Sequence, residues 1–303
     1  MRVLITGATG LVGGYIIDSL LKRGDEYIAL SHNLSNARRK LVNEKKIVNL
    51  NNALLLKDEK IDAVINLAGV NIGKKRWNPR FKKELYDSRI DITRRIVELI
   101  SIMDTKPEVL VSASGVDYYG DRGNENVYED SPNADTFMGN LCRDWENEAI
   151  KAEKYGVRVV TVRTGFVLAE NSEAVKRLAL PFKLFVGGTI GSGNQYMSWI
   201  HIEDLVGIYL FSIDNKTVCG AVNAAAPNAE TMKDFGKNLA KTLSRPSFFW
   251  APEFAVKIIA GEMAALILSG RRAYPKKILD LGYKFKFKYS IEAFRDIFNL
   301  VKT

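Results

Sequence analysis

The chain has 303 residues, of which 47% are hydrophobic and 26% are charged, a composition typical of a soluble globular protein. This length accommodates a large core, either as one α/β domain or as one domain with a smaller lobe. The formal net charge of +9 comes from basic clusters interspersed with acidic residues, without a nucleic-acid-binding motif, which argues against nucleic acid as a partner and favours one or two sites for an anionic ligand.

The first thirteen residues predict a nucleotide-binding turn. The apolar run Met1–Thr6 is typical of a buried strand, and the residues from Leu11 to Lys22 have helical spacing. Between them, Gly7 would allow a tight turn, Gly10 the close approach of a pyrophosphate, and Gly13 the packing of helix on strand. This order favours a dinucleotide site over an ordinary strand-to-helix turn. The predicted contacts are Gly7, Thr9, Gly10, Leu11 and Val12.

The end of the second predicted strand, Glu26–Leu30, bears on the choice of cofactor. In dinucleotide sites an acidic residue near this end binds the ribose 2′-hydroxyl. Residues 31–40 contain no acidic residue and end in two arginines and a lysine. Because arginine suits a 2′-phosphate and a carboxylate repels it, we predict NADP(H) rather than NAD(H), with Ser31, His32 and Arg38 as contacts. The alternative is that these basic residues only begin an exposed helix.

Strands and helices then alternate along the chain. The stretch from Ile47 to Lys60 is polar and poorly patterned, which predicts a loop-rich connection. The next strand, Asp62–Gly69, ends in small residues that leave room for a ligand, so Leu67, Ala68 and Gly69 are predicted cofactor contacts. A helix, a strand, a helix and a strand follow at Pro79–Met103, Val109–Ser114, Phe137–Tyr155 and Val157–Arg163. This alternation predicts an α/β fold with a Rossmann-type, doubly wound parallel sheet.

The pattern changes after Gly165. Residues 181–199 are rich in glycine and aromatic residues and predict a loop. The later predicted elements are a helix at Asp204–Ile213, a strand at Ala221–Ala224, and helices at Thr231–Leu243 and Pro252–Ser269. The last helix is too short and too charged to span a bilayer, so we expect it to pack. We therefore predict a nucleotide-binding domain over residues 1–165 and a mainly substrate-binding lobe over residues 166–303, interleaved with the last sheet strands.

Taken together, these motifs resemble the extended short-chain dehydrogenase/reductase superfamily, beginning with the segments Thr6–Gly13 and Asn66–Gly69. Within it the chain is most similar to an atypical branch of NAD(P)-dependent epimerase/dehydratase proteins, described as sugar-epimerase-like and formerly as cell-division-inhibitor-like. The motifs of that branch lie at Arg76-Trp77, Ser88–Ile90, Ser112–Gly120, Cys142–Glu146, Arg163–Leu168, Gly187-Gly188, Gly191–Gln195, Ser198–Asp204, Asn223, Ala226-Pro227, Arg245-Pro246, Gly261-Glu262 and Tyr274-Pro275. The resemblance implies a Rossmann fold that binds NADP(H) or NAD(H), with Arg163, Gly165 and Val167 among the cofactor contacts, and a C-terminal substrate lobe.

The expected catalytic pair of the superfamily is missing. Its usual chemistry depends on Tyr-x-x-x-Lys, in which the lysine and the ribose lower the pKa of the tyrosine so that it acts as a general acid/base. Counting back from Trp145-Glu146 places Met138 at the tyrosine position and Cys142 at the lysine position. Neither side chain replaces its counterpart, so the resemblance defines the family and leaves the substrate open.

Other residues are therefore the candidates for chemistry. Ser114 has a hydroxyl that can bind a substrate carbonyl, although this serine or Ser112 would equally well cap a buried strand end. Tyr118 and Tyr119 lie in the following loop, where a phenol can reach the nicotinamide; the alternative is a structural role. The predicted substrate contacts are Trp77, Gln195, Trp199 and His201. The alternative for the first three is a place in the core, and the alternative for His201 is that it only braces the lobe interface.

These features predict an NADP(H)-binding oxidoreductase or epimerase-like protein that acts on a carbonyl, alcohol or nucleotide-sugar-like small molecule. The alternative is an NADP(H)-binding redox sensor or regulator with little turnover, which the missing pair favours. Cys142 and Cys219 have no metal-ligand spacing and form no disulfide framework, and no secretory signal is visible. We therefore expect a cytoplasmic protein without a metal or a membrane association, as a monomer or a homodimer.

Overall fold

The computed structural model describes residues 1–41 and 46–298. Its strands are β1 (Arg2–Thr6), β2 (Glu26–Ser31), β3 (Lys46–Asn49), β4 (Ala63–Asn66), β5 (Val109–Gly115), β6 (Asn126–Val127), β7 (Arg158–Thr164), β8 (Phe166–Leu168), β9 (Gly188–Ile190), β10 (Tyr196–Met197), β11 (Trp199–His201), β12 (Gly220–Ala224), β13 (Glu230–Thr231), β14 (Phe249–Ala251) and β15 (Arg272–Ala273). Its α-helices are α1 (Leu11–Lys22), α2 (Leu34–Lys40), α3 (Pro79–Ile102), α4 (Phe137–Ile150), α5 (Glu173–Lys183), α6 (Ile202–Asp214), α7 (Met232–Leu243), α8 (Glu253–Ala260), α9 (Ala264–Leu268), α10 (Lys276–Asp280) and α11 (Ser290–Ile297).

Seven strands form one parallel sheet in the order β3-β2-β1-β4-β5-β7-β12. Its central strands are apolar on both faces, as expected for a parallel sheet that helices cover on both sides. The order of the strands reverses between β1 and β4, where Thr6 lies beside Asn66. Such a reversal opens a crevice at the carboxyl ends of the strands, where open α/β sheets bind ligands. The predicted Rossmann-type, doubly wound sheet is confirmed.

Helices cover both faces of this sheet. Ile16 of α1 and Ile208 of α6 belong to one buried cluster with the central strands, and Ile96 of α3 and Ala149 of α4 belong to another. Both of these clusters include alternate residues of β1, which shows that they lie on opposite faces. No helix within the described residues is both long enough and apolar enough to cross a bilayer.

The carboxyl-terminal part adds three pairs of short strands, β8 with β11, β9 with β14 and β10 with β13. Trp199, Phe235 and Phe294 are fully buried in a separate apolar cluster that includes residues of α5, α7 and α11. In contrast, β12 lies in the main sheet, where it pairs with β7. The division of the chain at residue 165 stays a prediction.

Three local predictions are wrong. Residues 46–49 form the edge strand β3, which overlaps the start of the predicted loop at Ile47. The sequence did not reveal this strand because four residues with polar ends show no periodicity. Residues 181–199 contain the end of α5, with Pro181 inside the helix, the strands β9 and β10, and the first residue of β11. The predicted helix Pro252–Ser269 is interrupted at Gly261, whose φ of +58° lies in the left-handed region that favours glycine. The first half, α8, does not pack as expected, since none of its residues is buried.

Candidate functional site

The glycine turn after β1 has the backbone geometry that its sequence predicts. Gly7 has a φ of +69°, which glycine adopts without strain. The Gly10 N–H donates to the Gly7 carbonyl oxygen at 2.9 Å and closes the turn. A Cβ atom on Gly13 would lie 2.4 Å from the same oxygen, so any side chain there would push α1 away from the turn. The geometry agrees with the tight turn predicted for Gly7 and the close packing predicted for Gly13.

The first turn of α1 is open to an anionic ligand. Its N-cap residue is Gly10, so no side chain accepts the N–H groups there, and the turn contains no acidic residue. The first N–H groups of a helix have no acceptor within the helix, and the helix dipole makes this end positive. The N–H groups of Leu11 and Val12 are thus available to phosphate oxygens, and with Gly7, Thr9 and Gly10 they form a cradle that suits a pyrophosphate.

The end of β2 offers neutral and cationic groups to a ligand. The Ser31 hydroxyl accepts the Asn33 N–H at 3.1 Å, and Asn33 caps α2 by accepting the Asn36 N–H at 2.9 Å. His32 and Arg38 are exposed, and Arg38 lies in the last turn of α2. The basic residues therefore end this exposed helix rather than begin it. Residues 31–40 present no carboxylate that would repel a 2′-phosphate.

A buried hydrogen-bond network holds the loop after β4 against β1. Thr6 Oγ1 donates to Asn66 Oδ1 at 2.7 Å and accepts the N–H groups of Leu67 and Ala68 at 3.1 and 3.2 Å. The Asn66 amide donates to Thr93 Oγ1 of α3 at 2.8 Å. The predicted cofactor loop is thus fixed at the sheet reversal. Sequence reasoning missed Thr6 and Thr93, because two hydroxyls that are distant in sequence form no local pattern.

Ser114, at the end of β5, is held by Glu146 of α4. Its Oγ donates to Glu146 Oε1 at 2.6 Å, and Arg163 of β7 donates to the two oxygens of the same carboxylate at 2.8 Å each. The side chains of Glu146 and Arg163 are only 7% and 4% exposed, so the two charges neutralise each other away from water. Because the Ser114 proton is engaged by Glu146, the Oγ lone pairs remain to accept a hydrogen bond from a ligand hydroxyl.

Arg163 forms hydrogen bonds with other residues of the chain and does not lie where the predicted cofactor contact requires it to be exposed. Its Nη1 donates to Tyr119 Oη at 2.9 Å and to the Glu129 carbonyl oxygen at 3.0 Å, in addition to the two bonds to Glu146. Burial opposes the charge of Arg163, but the hydrogen bonds and the charge of Glu146 outweigh it and raise the pKa of the guanidinium above its ordinary value. Arg163 therefore positions Glu146, and through it Ser114.

The two tyrosines after β5 have different surroundings. Tyr119 is fully buried, and its Oη donates to Asn223 Oδ1 at 2.7 Å. Burial raises the pKa of the Tyr119 phenol well above its ordinary value, which removes it as a general acid/base and corrects the predicted catalytic role. Tyr118 is half-buried, with its ring centroid 3.5 Å from Cζ of Arg163, and it stays a candidate.

The two positions of the missing pair are buried and cannot titrate near neutral pH. Met138 lies with Trp77 in one apolar cluster, and the Trp77 Nε1 donates to the Ile72 carbonyl oxygen at 2.9 Å. Burial raises the pKa of the Cys142 thiol to about 12, so it stays protonated at neutral pH. Trp77 therefore belongs to an apolar wall that includes the tyrosine position.

Segments after β7 approach the same edge of the sheet. Gly165 follows β7 directly, and a Cβ atom on it would lie 2.6 Å from the Ser198 carbonyl oxygen, so the two backbones are in contact. Val167 pairs with Ile200 in the strand pair β8–β11. Gln195 Nε2 donates to the Ile190 carbonyl oxygen at 2.9 Å and fixes the nearby glycine turn. The predicted roles of Gly165, Val167 and Gln195 in ligand binding stay predictions.

Trp199 and His201 lie in the lobe core and not in an open cleft. Trp199 is fully buried and presents no surface to a ligand. His201 is 1% exposed, its Nδ1 accepts the Glu203 N–H at 3.2 Å at the start of α6, and its ring lies 3.8 Å from that of Phe287. Burial lowers the pKa of His201 to about 4. The structure thus gives these residues the core and bracing roles and corrects the predicted substrate contacts.

One group of side chains within the described residues has metal-like spacing. Donor atoms of His201, Glu203 and Asp296 lie within 4.8 Å of one another. His201 Nδ1 already accepts a backbone N–H, its Nε2 is 3.2 Å from Asp296, and the Lys286 ammonium is 2.6 Å from Glu203. A cation here would compete with that ammonium, so the donor set does not suit a metal ion.

Two family models match the chain. Residues 3–225 match the NAD dependent epimerase/dehydratase family, from β1 to the residue after β12. Residues 251–297 match a domain of unknown function, DUF1731, which begins at the end of β14 and covers α8 to α11.

Relatives match over nearly the whole chain. The epimerase family protein SDR39U1 homolog, chloroplastic, of Arabidopsis thaliana is 36% identical over 98% of this chain and 86% of its own length. The epimerase family protein YfhF of Bacillus subtilis is 35% identical over 95% of this chain and 94% of its own length.

Solved structures show the same architecture. Human epimerase family protein SDR39U1 (isoform 2), crystallised with NADPH, has a TM-score of 0.88 at 32% identity and covers 98% of this chain and 99% of the human chain. UDP-glucuronic acid 4-epimerase from Bacillus cereus, in complex with UDP-glucuronic acid and NAD, has a TM-score of 0.77 at 20% identity, over 99% of this chain and 100% of its own. The second likeness supports the fold alone.

Proposed function

The chain belongs to the NAD dependent epimerase/dehydratase family, and on that premise we propose that it binds NADPH and transfers a hydride to or from a small carbonyl, alcohol or nucleotide-sugar-like substrate. The observation that carries the proposal is the glycine cradle at the sheet reversal. A Cβ atom on Gly13 would collide with the turn, and the first N–H groups of α1 have no side-chain acceptor. Both features suit a pyrophosphate.

The preference for NADPH over NADH rests on the end of β2. Ser31 stands where an acidic residue would bind a ribose 2′-hydroxyl, and Arg38 is exposed in the last turn of α2, the helix that follows. A guanidinium forms charge-assisted hydrogen bonds with a phosphate, which a 2′-hydroxyl cannot match. The presence of NADPH in the structure of human SDR39U1 supports the same choice.

In this proposal Ser114 orients the reacting oxygen of the substrate. The bound cofactor supplies or accepts the hydride at its nicotinamide. Ser114 Oγ, with its own proton engaged by Glu146, accepts the hydrogen bond of a substrate hydroxyl. As an alcohol is oxidised, Ser114 Oγ takes the hydroxyl proton of the substrate and passes its own proton to the Glu146 carboxylate, and both transfers reverse when a carbonyl is reduced. Tyr118 is the second candidate for contact with the reacting groups.

A panel of carbonyl compounds tests the proposal, with NADPH oxidation followed at its absorbance band. We expect turnover on at least one member and a loss of about 10²-fold or more in Ser114→Ala, the effect typical of a removed proton-transfer group. Tyr118→Phe measures whether that phenol takes part. Ser101→Ala, on the exposed end of α3, is the matched control and keeps wild-type turnover. Turnover that Ser114→Ala leaves unchanged would contradict the role of Ser114.

The second candidate is an NADPH-binding sensor or regulator with little turnover. It is favoured by Met138 and Cys142, since a thioether has no proton to give and the thiol stays protonated at neutral pH. Tight NADPH binding without turnover across a broad panel would support this function over the first. In either case we propose a cytosolic protein, because Cys142 and Cys219 are both free thiols.

A further inference from the structure

The carboxyl-terminal lobe exposes a group of large apolar side chains, which we call the β14–α8 surface. It consists of three residues that follow α5, three in or directly before β14, and three of α8: Leu184, Phe185, Val186, Phe248, Phe249, Trp250, Phe254, Ile258 and Ile259. Their exposed fractions lie between 51% for Val186 and 81% for Phe248. A single exposed apolar side chain is ordinary in a soluble protein, whereas a group of them typically marks an interaction surface.

The three segments of this surface adjoin one another. The Phe249 N–H donates to the Gly187 carbonyl oxygen at 3.3 Å, so the residues that follow α5 lead directly into β9, the partner strand of β14. Pro252 alone separates β14 from α8. Phe254 and Ile258 are four residues apart on α8 and therefore lie on the same side of the helix. The apolar side chains thus come from neighbouring segments and are not scattered over the lobe.

The β14–α8 surface is as large as one side of a protein–protein contact. An aromatic side chain contributes about 150–250 Å² when it is buried, so the five aromatic residues offer about 500–800 Å² at the fractions that are exposed. The four aliphatic side chains are smaller and add about 150–300 Å². A standard interface buries about 800 Å² on each partner, whereas the largest apolar patch of a monomer is typically about 300–600 Å².

The charges on α8 fit a second copy of the same helix. Glu253 and Lys257 form an ion pair of 3.5 Å within the helix and flank Phe254 and Ile258 on one side. When two copies of α8 lie antiparallel about a twofold axis, Glu253 of each copy faces Lys257 of the other. The two helix dipoles also oppose each other in this arrangement. The surface is therefore complementary to itself in charge as well as apolar.

The same charges argue against an anionic lipid surface as the partner. Residues 248–262 contain the acidic residues Glu253 and Glu262 and a single basic residue, Lys257. A helix that binds anionic lipid typically carries several lysines or arginines beside its apolar face. The β14–α8 surface lacks that excess of positive charge, which favours a second copy of the chain.

We propose that the β14–α8 surface is the contact between two copies of this chain, which associate about a twofold axis with their α8 helices antiparallel. Phe254 and Ile258 of each copy then pack against the other, and Trp250 lies beside them. The Trp250 Nε1 already donates to the Gly191 carbonyl oxygen at 2.7 Å, so the indole is held in place and needs no polar partner in the contact. The contact explains why no residue of α8 is buried within a single copy.

Analytical ultracentrifugation of the full chain over a series of dilutions tests the proposal. We expect a reversible dimer, of twice the chain mass of 33.9 kDa, at the higher concentrations. Phe254→Glu and Ile258→Glu each place two carboxylates in the contact, one from each copy, and should raise the dissociation constant of the dimer by about 100-fold or more. Leu55→Glu is the matched control, because Leu55 is 74% exposed between β3 and β4, and it should leave the dissociation constant unchanged.

Exchange of the charges on α8 tests the antiparallel arrangement. Glu253→Lys places lysine opposite lysine at two positions of the contact and should weaken the dimer by about threefold or more. Lys257→Glu should have a similar effect, because it places two carboxylates opposite each other. The double variant restores opposite charges and should recover the dissociation constant of the wild type. Additive weakening in the double variant would contradict the antiparallel arrangement.

The other outcomes also decide the matter. A chain that stays monomeric at every concentration would overturn the inference. A dimer that Phe254→Glu and Ile258→Glu leave intact would overturn it as well, because its contact would lie elsewhere. Flotation of a monomeric chain with vesicles of phosphatidylglycerol would overturn it in favour of a lipid surface. Circular dichroism spectra identical to that of the wild type show that the variants are folded. None of these measurements involves NADPH, so failure here leaves the proposed function intact.

Discussion

The buried pair of Glu146 and Arg163 supports a prediction about stability as well as chemistry. In Glu146→Gln the shape of the side chain is kept, but the charge opposite Arg163 is lost. The new amide would present an NH2 group toward a position at which Arg163 now donates, so one of the two guanidinium bonds, each 2.8 Å long, is lost. Arg163 is then a cation that is 4% exposed and has no other salt-bridge partner among the described residues.

Removal of one partner of a buried ion pair typically lowers the free energy of unfolding by about 3–5 kcal/mol. At an unfolding entropy of about 2 cal/mol/K per residue, a chain of 303 residues loses about 1.6 °C of Tm per kcal/mol, so we expect a decrease of about 5–8 °C. An exposed acid gives the matched control: Glu98→Gln, on the solvent side of α3, should change the stability by less than about 0.5 kcal/mol.

Urea denaturation of the wild type, Glu146→Gln, Arg163→Met and the double variant measures the effect. Because the double variant leaves no unpaired charge, we expect it to be more stable than the sum of the single effects by about 1–3 kcal/mol. A loss below about 1 kcal/mol in Glu146→Gln, or additive effects in the double variant, would refute the view that the two charges compensate each other.

Two further predictions concern the glycine turn and the lobe. Gly13→Ala should lower the free energy of unfolding by about 1–3 kcal/mol and weaken NADPH binding, because its Cβ atom would lie 2.4 Å from the Gly7 carbonyl oxygen. In the control Gly14→Ala the Cβ atom meets nothing within 4 Å, so this variant should stabilise α1 by about 0.5–1 kcal/mol. Similar effects in the two variants would contradict the packing argument. The second prediction concerns His201, because burial lowers the pKa of its side chain from 6.5 to about 4. Between these pH values the unfolded chain binds more protons than the folded chain. The contribution of His201 to the free energy of unfolding is therefore complete above pH 6.5 and is lost as the pH falls toward 4. This loss is of order 3 kcal/mol, and His201→Asn, which keeps an N-cap acceptor but does not titrate, should remove this part of the pH dependence in urea denaturation at pH 4.5 and 7.

Local sequence patterns were enough to predict the elements whose residues follow a regular spacing. The spacing of apolar residues locates α1 and α3 to within one residue, and the glycine positions give the turn before α1. Patterns fail where an element is short or where tertiary contacts decide its course. Strand β3 has only four residues, at the edge of the sheet, which is too short for a periodic pattern. The break at Gly261 depends on a backbone conformation that a glycine allows but does not require, so its sequence does not predict the break.

The candidate site was predicted only in part, because its members come from distant segments. Ser114 was identified from its place at the end of a strand, whereas its bond to Glu146 spans 32 residues and that of Tyr119 to Asn223 spans 104. The same distance explains the errors. Arg163 and Tyr119 were expected to contact ligands, but each finds a buried partner that sequence spacing does not reveal.

Binding of NADPH and NADH to the wild-type chain tests the central claim most directly. The two cofactors are titrated separately while tryptophan fluorescence is recorded, and the measurement is repeated with Arg38→Gln. We expect NADPH to bind at least about tenfold more tightly than NADH, and this ratio to fall in Arg38→Gln, since one charge-assisted bond to the 2′-phosphate is lost. Absence of binding by both cofactors, or tighter binding of NADH, would contradict the account.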